Sequence, residues 1–387
     1  MTNTLKFLAG LLAVVCLLPG GGAGSQTLVY SLSYEETHAS FMAHFSGVSP
    51  FPGLRTQQEN LSMLRNHRKT EIYFLRLADG EGSLLFSDEG TNLEIMGPGS
   101  ASSAGKAYVR AIWREWRPEP VPGVNAETAV YELRLDGSNK FRRILDAQVN
   151  QGPALLNPQG TKAAFQDFVA GKYVVSIYSV PGWRLLHQWD LSRLMNTQCR
   201  FCTPVNSGWM QDGKRLWVEL TAVGDDEDAT SADALGAYIF SEDGSGMDRI
   251  SPEIGALRLN GYVHPQYIER QFLGQLPNGS YVFEDFAVQK GKSLSELAPF
   301  VVIAAPDAKS LSVAPLKFAL GRGVLSPSGR YLAYIENRQT PGYRTEQHLW
   351  VRDLASSEDR ELFSVPAPGP ATSAEPNVSL SVLGWLN

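Results

Sequence analysis

The chain is poor in the residue types that most directly announce chemistry. It has three cysteines and six histidines in 387 residues. A disulfide-stapled miniature scaffold is therefore excluded, and any metal site has few ligands to draw on. No long apolar run follows the segment Phe7–Leu18, which at 12 residues is itself short of the roughly 20 needed to span a bilayer. Charged residues make up only 19%, and the net charge is −6, with no Lys/Arg cluster. Nucleic acid and anionic membrane surfaces are not expected partners, because both are held by basic patches. There is no G-x-S-x-G elbow, no H-E-x-x-H and no phosphate-binding glycine loop. Helical periodicity is scarce. What is plentiful is turn formers, 36 Gly and 23 Pro, set among 43% hydrophobic residues. That balance describes strands joined by tight turns rather than disorder.

The first residues read as an address. Lys6 precedes the apolar run Phe7–Leu18, and Pro19, a glycine-rich stretch and "GAGSQ" follow. This is the order of a secretory signal peptide, with cleavage after Gly24 or Ser25. Val15 stands before Cys16, where a lipidated cysteine wants a small residue. The expected organisation is a signal peptide over 1–24 and one domain over 26–387. Loss of Lys6 takes the net charge to −7. The mature chain is expected to be soluble, periplasmic or secreted, and without a transmembrane segment.

A repeat organises the rest. An apolar lead-in, a turn ending in Gly and a strand recur at "SSAGKAYVRAI", "NPQGTKAAFQ", "MQDGKRLWVEL", "LPNGSYVFEDF" and "SPSGRYLAYI". The glycines are Gly105, Gly160, Gly213, Gly279 and Gly329, spaced by 55, 53, 66 and 50 residues. Between them lies a second hairpin, present six times, from "EIYFLRLADGEGSLLFS" to "LWVRDLASSEDRELF". Asp79-Gly80, Asp136-Gly137 and Asp243-Gly244 are turn dipeptides within it. Two hairpins make a four-stranded sheet, which needs neighbours on both faces, and radial stacking of such sheets is a β-propeller. The fold class predicted is all-β, a six-bladed propeller of four-stranded blades, or seven-bladed if residues 26–70 form a sheet of their own. Six second hairpins but five first ones leave one blade short of a strand. The tail "NVSLSVLGWLN" supplies it and closes the ring beside the N-terminal blade. On that strand Val382 and Leu386 are expected on one face, Leu383 and Trp385 on the other.

The unit "SPSGRYLAYI … HLWVRDLASSEDRELF" resembles the WD40-like (PD40) repeat of TolB-like propellers and of the propeller domains of prolyl oligopeptidase relatives. The resemblance covers most of residues 70–363 and implies a propeller fold. The chain offers no segment for the α/β domain of TolB or for the peptidases' hydrolase domain. The function implied is therefore binding or scaffolding in the cell envelope, with another envelope protein, a peptide or a glycan as partner. The alternative is a metal-assisted carbohydrate lyase or hydrolase acting in the channel, as in oligogalacturonate lyases with TolB-like repeats.

Four constellations are candidates for chemistry. Cys199 and Cys202 form a C-x-x-C with Thr203, not His, after it and no second pair. In an exported chain this reads as a structural disulfide, with metal-bound or redox-active thiols as the alternatives. His38, His44, His187, His264 and His348 are scattered, and nothing in the sequence makes them converge. The acidic run "GDDEDATSAD", with Asp225 and Asp226, is either a solvated loop or a Ca²⁺-holding binding rim, without EF-hand spacing. In "IWREWRPEP" Trp113 and Trp116 fall on opposite faces of a strand. One is expected to pack between blades, and the other, with Arg114, to offer a stacking platform. No catalytic residue and no cofactor emerge.

Overall fold

The structure, a computed structural model, describes residues 26–35, 68–89, 91–96, 99–102, 104–117, 123–146, 152–191, 202–222, 236–250, 261–263, 271–293, 298–307, 310–317, 323–340, 344–367 and 377–386. The regular structure described is all β. In chain order the strands are β1 (Thr27–Glu35), β2 (Arg68–Arg76), β3 (Gly82–Ser87), β4 (Leu93–Ile95), β5 (Ser100–Ser102), β6 (Lys106–Arg117), β7 (Gly123–Arg134) and β8 (Phe141–Asp146). They continue with β9 (Leu155–Leu156), β10 (Lys162–Val169), β11 (Lys172–Ser179), β12 (Leu185–Asp190), β13 (Cys202–Trp209), β14 (Arg215–Ala222), β15 (Gly236–Ser241) and β16 (Met247–Arg249). The last are β17 (Tyr262–Val263), β18 (Gln271–Gln275), β19 (Tyr281–Gln289), β20 (Ala298–Ala304), β21 (Leu311–Pro315), β22 (Val324–Leu325), β23 (Tyr331–Thr340), β24 (Arg344–Asp353), β25 (Glu358–Val365) and β26 (Asn377–Leu386).

These strands make six antiparallel sheets, ordered β26-β1-β2-β3, β4/β5-β6-β7-β8, β9-β10-β11-β12, β13-β14-β15-β16, β17/β18-β19-β20-β21 and β22-β23-β24-β25. They are blades 1 to 6 of a propeller. Six, not seven, is the number: the chain from Thr27 to Glu35 is the second strand of blade 1 rather than part of a separate sheet. In blades 2 and 5 the inner strand is split into two short pieces, both paired to the second strand.

Local chemistry builds the hairpins. The glycines that mark the repeat each close the turn between an inner and a second strand with φ between +64° and +86°, a conformation that L side chains resist. Four of the six third-to-outer hairpins are set by aspartates. Asp79, Asp136, Asp243 and Asp353 each accept the backbone N–H two residues on, at 2.8–3.0 Å, and Asp212 does the same in an inner turn. Such side chains imitate a backbone turn and fix the loop before any tertiary contact exists.

The core is divided among the blade interfaces. Phe86 and Ile72 meet Val109 and Leu133 between blades 1 and 2, and Tyr108 and Val130 meet Phe165 between blades 2 and 3. Ile177 packs on Val218 and Phe240, Trp217 on Phe272, and Val301 on Tyr334 around the rest of the ring. The seam between blades 6 and 1 gathers Leu349 and Val351 with Leu28, Leu380 and Trp385. Each sheet is thus covered on both sides, as the pattern of apolar strands requires.

The tail closes the ring as expected. Strand β26 pairs antiparallel with β1 from Thr27↔Leu386 to Glu35↔Asn377. Trp385 is buried, and its Nε1 donates to the Val324 carbonyl at 3.0 Å. The assignment of faces is corrected. A bulge between Val29 and Tyr30 skips Leu383 in the register, and Gly384 carries φ +141°. One extra residue reverses the alternation beyond it. Trp385 therefore joins Val382 and Val378 in the seam core, while Leu383 and Leu386 turn together towards blade 2.

Candidate functional site

The inner strands of all six blades surround one channel with a cavity of about 860 Å³. Antiparallel order places the tight turns, inner-to-second and third-to-outer, on one face of the ring. The second-to-third connections and the blade-to-blade connections lie on the other. Several segments that the sequence marks for chemistry attach to this second face: the strand ends flanking 36–67, 118–122, 192–201 and 223–235 point there.

The described channel wall holds one carboxylate, Asp167, and no Lys, Arg, His or Glu. Its polar character comes from carboxamides and hydroxyls. Some of these are committed to the scaffold. Gln347 accepts the Leu380 N–H at 2.7 Å and donates to Asn337, and Gln275 donates to the Gly279 carbonyl. Asn206 donates to Glu219. Gln166, Gln211 and Gln271 make no side-chain hydrogen bond among the described residues, so their amides remain available to a ligand. Aromatic surface is supplied by Trp209, whose Nε1 is tied to the Leu155 carbonyl at 2.7 Å. Phe168 and Tyr173 add more, with ring centroids 4.7 Å apart.

The titration behaviour separates structural acids from the rest. Glu219 is buried and its pKa is raised by desolvation, partly offset by bonds from Asn206 Nδ2 and the Phe272 N–H at 2.8 Å. Phe272 belongs to the inner strand of the next blade, so this carboxylate staples blade 4 to blade 5. Asp167 is different. Burial pushes its carboxyl up to about 6 against the smaller opposing field of Arg110. Its Oδ1 is buried without a hydrogen-bond partner among the described residues.

The residues named from the sequence do not gather in one place. Trp113 packs on Phe141 in the core between blades 1 and 2, which is the packing role expected of one of the two tryptophans. Arg114 holds the buried Glu94 through two hydrogen bonds of 2.8 and 2.9 Å, a structural ion pair rather than a stacking platform. Trp116 lies near the end of β6 and its side chain is outside the described residues, as are Cys199, Asp225, Asp226, His38, His44 and His264. Cys202 opens β13. His187 sits on the outer strand of blade 3, and His348, on blade 6, faces Glu361 at 2.8 Å. Among the described residues no group of three His, Cys, Asp or Glu is arranged for a metal ion. Sequence reasoning passed over Gln166, Asp167 and Phe168. Their signal is an acid interrupting the apolar strand of "KAAFQDFVAGKYVV" just before a tight turn.

Six four-stranded blades around a channel, closed by a C-terminal inner strand, define the protein as a six-bladed β-propeller, the architecture of TolB-like propellers. No protein-family model matches the sequence, and no curated protein matches it. Among solved structures the chain is similar to TolB from Acinetobacter baumannii, at 11% identity over 92% of this chain and 66% of that one, with a TM-score of 0.46. It is also similar to a puromycin-hydrolysing peptidase of Mycobacterium tuberculosis (13% identity, 78% and 45% of the two chains, TM-score 0.45). An oligogalacturonate lyase in complex with manganese is a third (12%, 75% and 70%, 0.41). The chain thus spans less than two thirds of the length of the first two. No helix among the described residues is long and apolar enough to cross a membrane.

Proposed function

We propose that this protein is an exported β-propeller of the cell envelope that binds a peptide or glycan in its channel. The observation that carries the reading is the wall itself: carboxamides at Gln166, Gln211 and Gln271 without a hydrogen bond among the described residues, lining the same cavity of about 860 Å³ as the exposed ring of Phe168. Amides that both donate and accept, next to aromatic faces, suit the alternating polar and apolar surface of a sugar or a peptide backbone. The leader at residues 1–24 supports delivery to the envelope.

Two measurements test this. Expression of the full chain followed by fractionation and N-terminal sequencing of the exported form should give a start at Ser25 or Gln26. Titration of the mature protein with short peptides and oligosaccharides, followed by calorimetry and by intrinsic tryptophan fluorescence, to which Trp209, Trp217 and Trp385 of the channel wall contribute, should give saturable binding that Gln271→Ala and Gln166→Ala weaken. Retention in the cytoplasm, or equal response of wild type and both variants, would overturn the reading.

A further inference from the structure

Among the described residues the buried carboxylates are satisfied with one exception. Asp88 accepts from Thr70 and Ile95 N–H, Glu132 from Arg142, Glu336 from Arg338 and Trp350, and Glu219 from Asn206 and Phe272. Asp167 is 6% exposed and lines the channel, yet its Oδ1 has no partner among the described residues. A second orphan lies on the same blade interface. Ser100 is paired in register with Tyr108, on the face of blade 2 that packs against Phe165 of blade 3. Asp167 is two residues from Phe165 and so shares that face. The Ser100 Oγ is also buried, unpartnered among the described residues, and part of the channel wall.

We infer that Asp167 is the anchor for a primary ammonium group carried by the channel's ligand. This rests on the channel-binding reading and narrows it to ligands with one protonated amine. A buried acceptor without a donor is costly to keep, and a bound group that supplies the donor removes the cost. An ammonium matches a carboxylate in charge and brings three donors, enough for the Ser100 oxygen as well. A hard metal ion fits less well, since it wants several oxygen ligands and the described wall has this single carboxylate. Three charged or titratable groups bear on the site. These are Arg110, from blade 2, which acts on Asp167 through space; Tyr178, raised first by burial and then by Asp167; and Tyr108 of blade 2, raised by burial, on the facing side of the interface. The body of the ligand, facing carboxamides, is neutral and polar.

The test uses the mature protein and matched probes. Terminally blocked Ala-Lys-Ala is compared with blocked Ala-norleucine-Ala, and glucosamine with N-acetylglucosamine, by calorimetry and saturation-transfer NMR. The amine of at least one pair should bind about tenfold or more tightly than its neutral isostere, and the pair that does so identifies a peptide or a sugar source. Asp167→Asn, which keeps the shape and removes the charge, should bring amine and isostere to equal affinity. Affinity of the wild type for the amine should fall below pH 6 by about tenfold per pH unit. Equal amine binding by wild type and Asp167→Asn overturns the inference. So does preference for the neutral probes, which leaves the channel reading standing with water as the occupant of the Asp167 site. Absence of binding by all four probes overturns the inference and counts against the channel reading too.

Discussion

Blade 1 is the one blade whose inner strand is not joined by a turn to the strand beside it. Its place in the ring depends on β26, and Trp385 is the largest side chain that strand buries. Replacement of Trp385 by Ala removes a ring that is 6% exposed, stacked on Tyr331 with centroids 6.3 Å apart, and set among Leu28, Leu349, Val351 and Leu380. Losing a fully buried aromatic costs roughly 3–5 kcal/mol, transfer and cavity together. Trp385→Phe keeps most of the apolar contact but strands the Val324 carbonyl, which the indole N–H reaches at 3.0 Å; that change should cost roughly 1–3 kcal/mol. Domains of this kind hold about 5–15 kcal/mol in all. The alanine variant should therefore show a large drop in urea midpoint, the phenylalanine variant a smaller one, and deletion of residues 377–387 a larger hydrodynamic radius than the wild type has. A Trp385→Ala midpoint within about 0.5 kcal/mol of wild type would refute the argument, because it would mean that the seam is held without β26.

Other perturbations should read out the rest. Glu219→Ala should destabilise by roughly 1–3 kcal/mol by orphaning the Phe272 N–H, while Glu219→Gln, which keeps an acceptor, should cost less; faster hydrogen exchange at the Phe272 amide in the Ala variant alone is the check. Asp167 has a folded pKa of about 6 against an ordinary value of 3.8, so the native state binds the extra proton between those values. Its ionisation therefore destabilises the fold, fully above pH 6 and progressively less towards pH 4, by on the order of 3 kcal/mol. Asp167→Asn should be more stable than wild type at pH 7, with the gap closing by pH 4 in urea titrations. Cys199 and Cys202 should be joined in the exported protein, adding little stability because the loop is short; alkylation and mass spectrometry finding two free thiols would reject the pairing.

The blade count, the strand order and the closing strand were legible in the sequence because each rests on local chemistry repeated along the chain. Glycines at left-handed turns, aspartates that bond two residues on, and apolar alternation act within a few residues, so they leave a pattern in the sequence. The role of Trp113 as packing follows from the same alternation. The faces of Leu383 and Trp385 were not legible. They depend on one bulge opposite Val29, a register chosen by how β26 meets a strand some 350 residues away in sequence. Arg114 drew attention as a free cation beside a tryptophan, but its partner Glu94 comes from a separate short strand that the spacing gave no reason to place there. Asp167 is the fullest case. As a residue it is an acid in the second strand of a blade, like Glu219 and Glu336. Only the packing of blade 3 on blade 2 decides that its carboxylate is buried, at the channel and, among the described residues, without a donor to Oδ1. Turns obey their own sequence, whereas burial and solvation are set by which distant strands come to face one another.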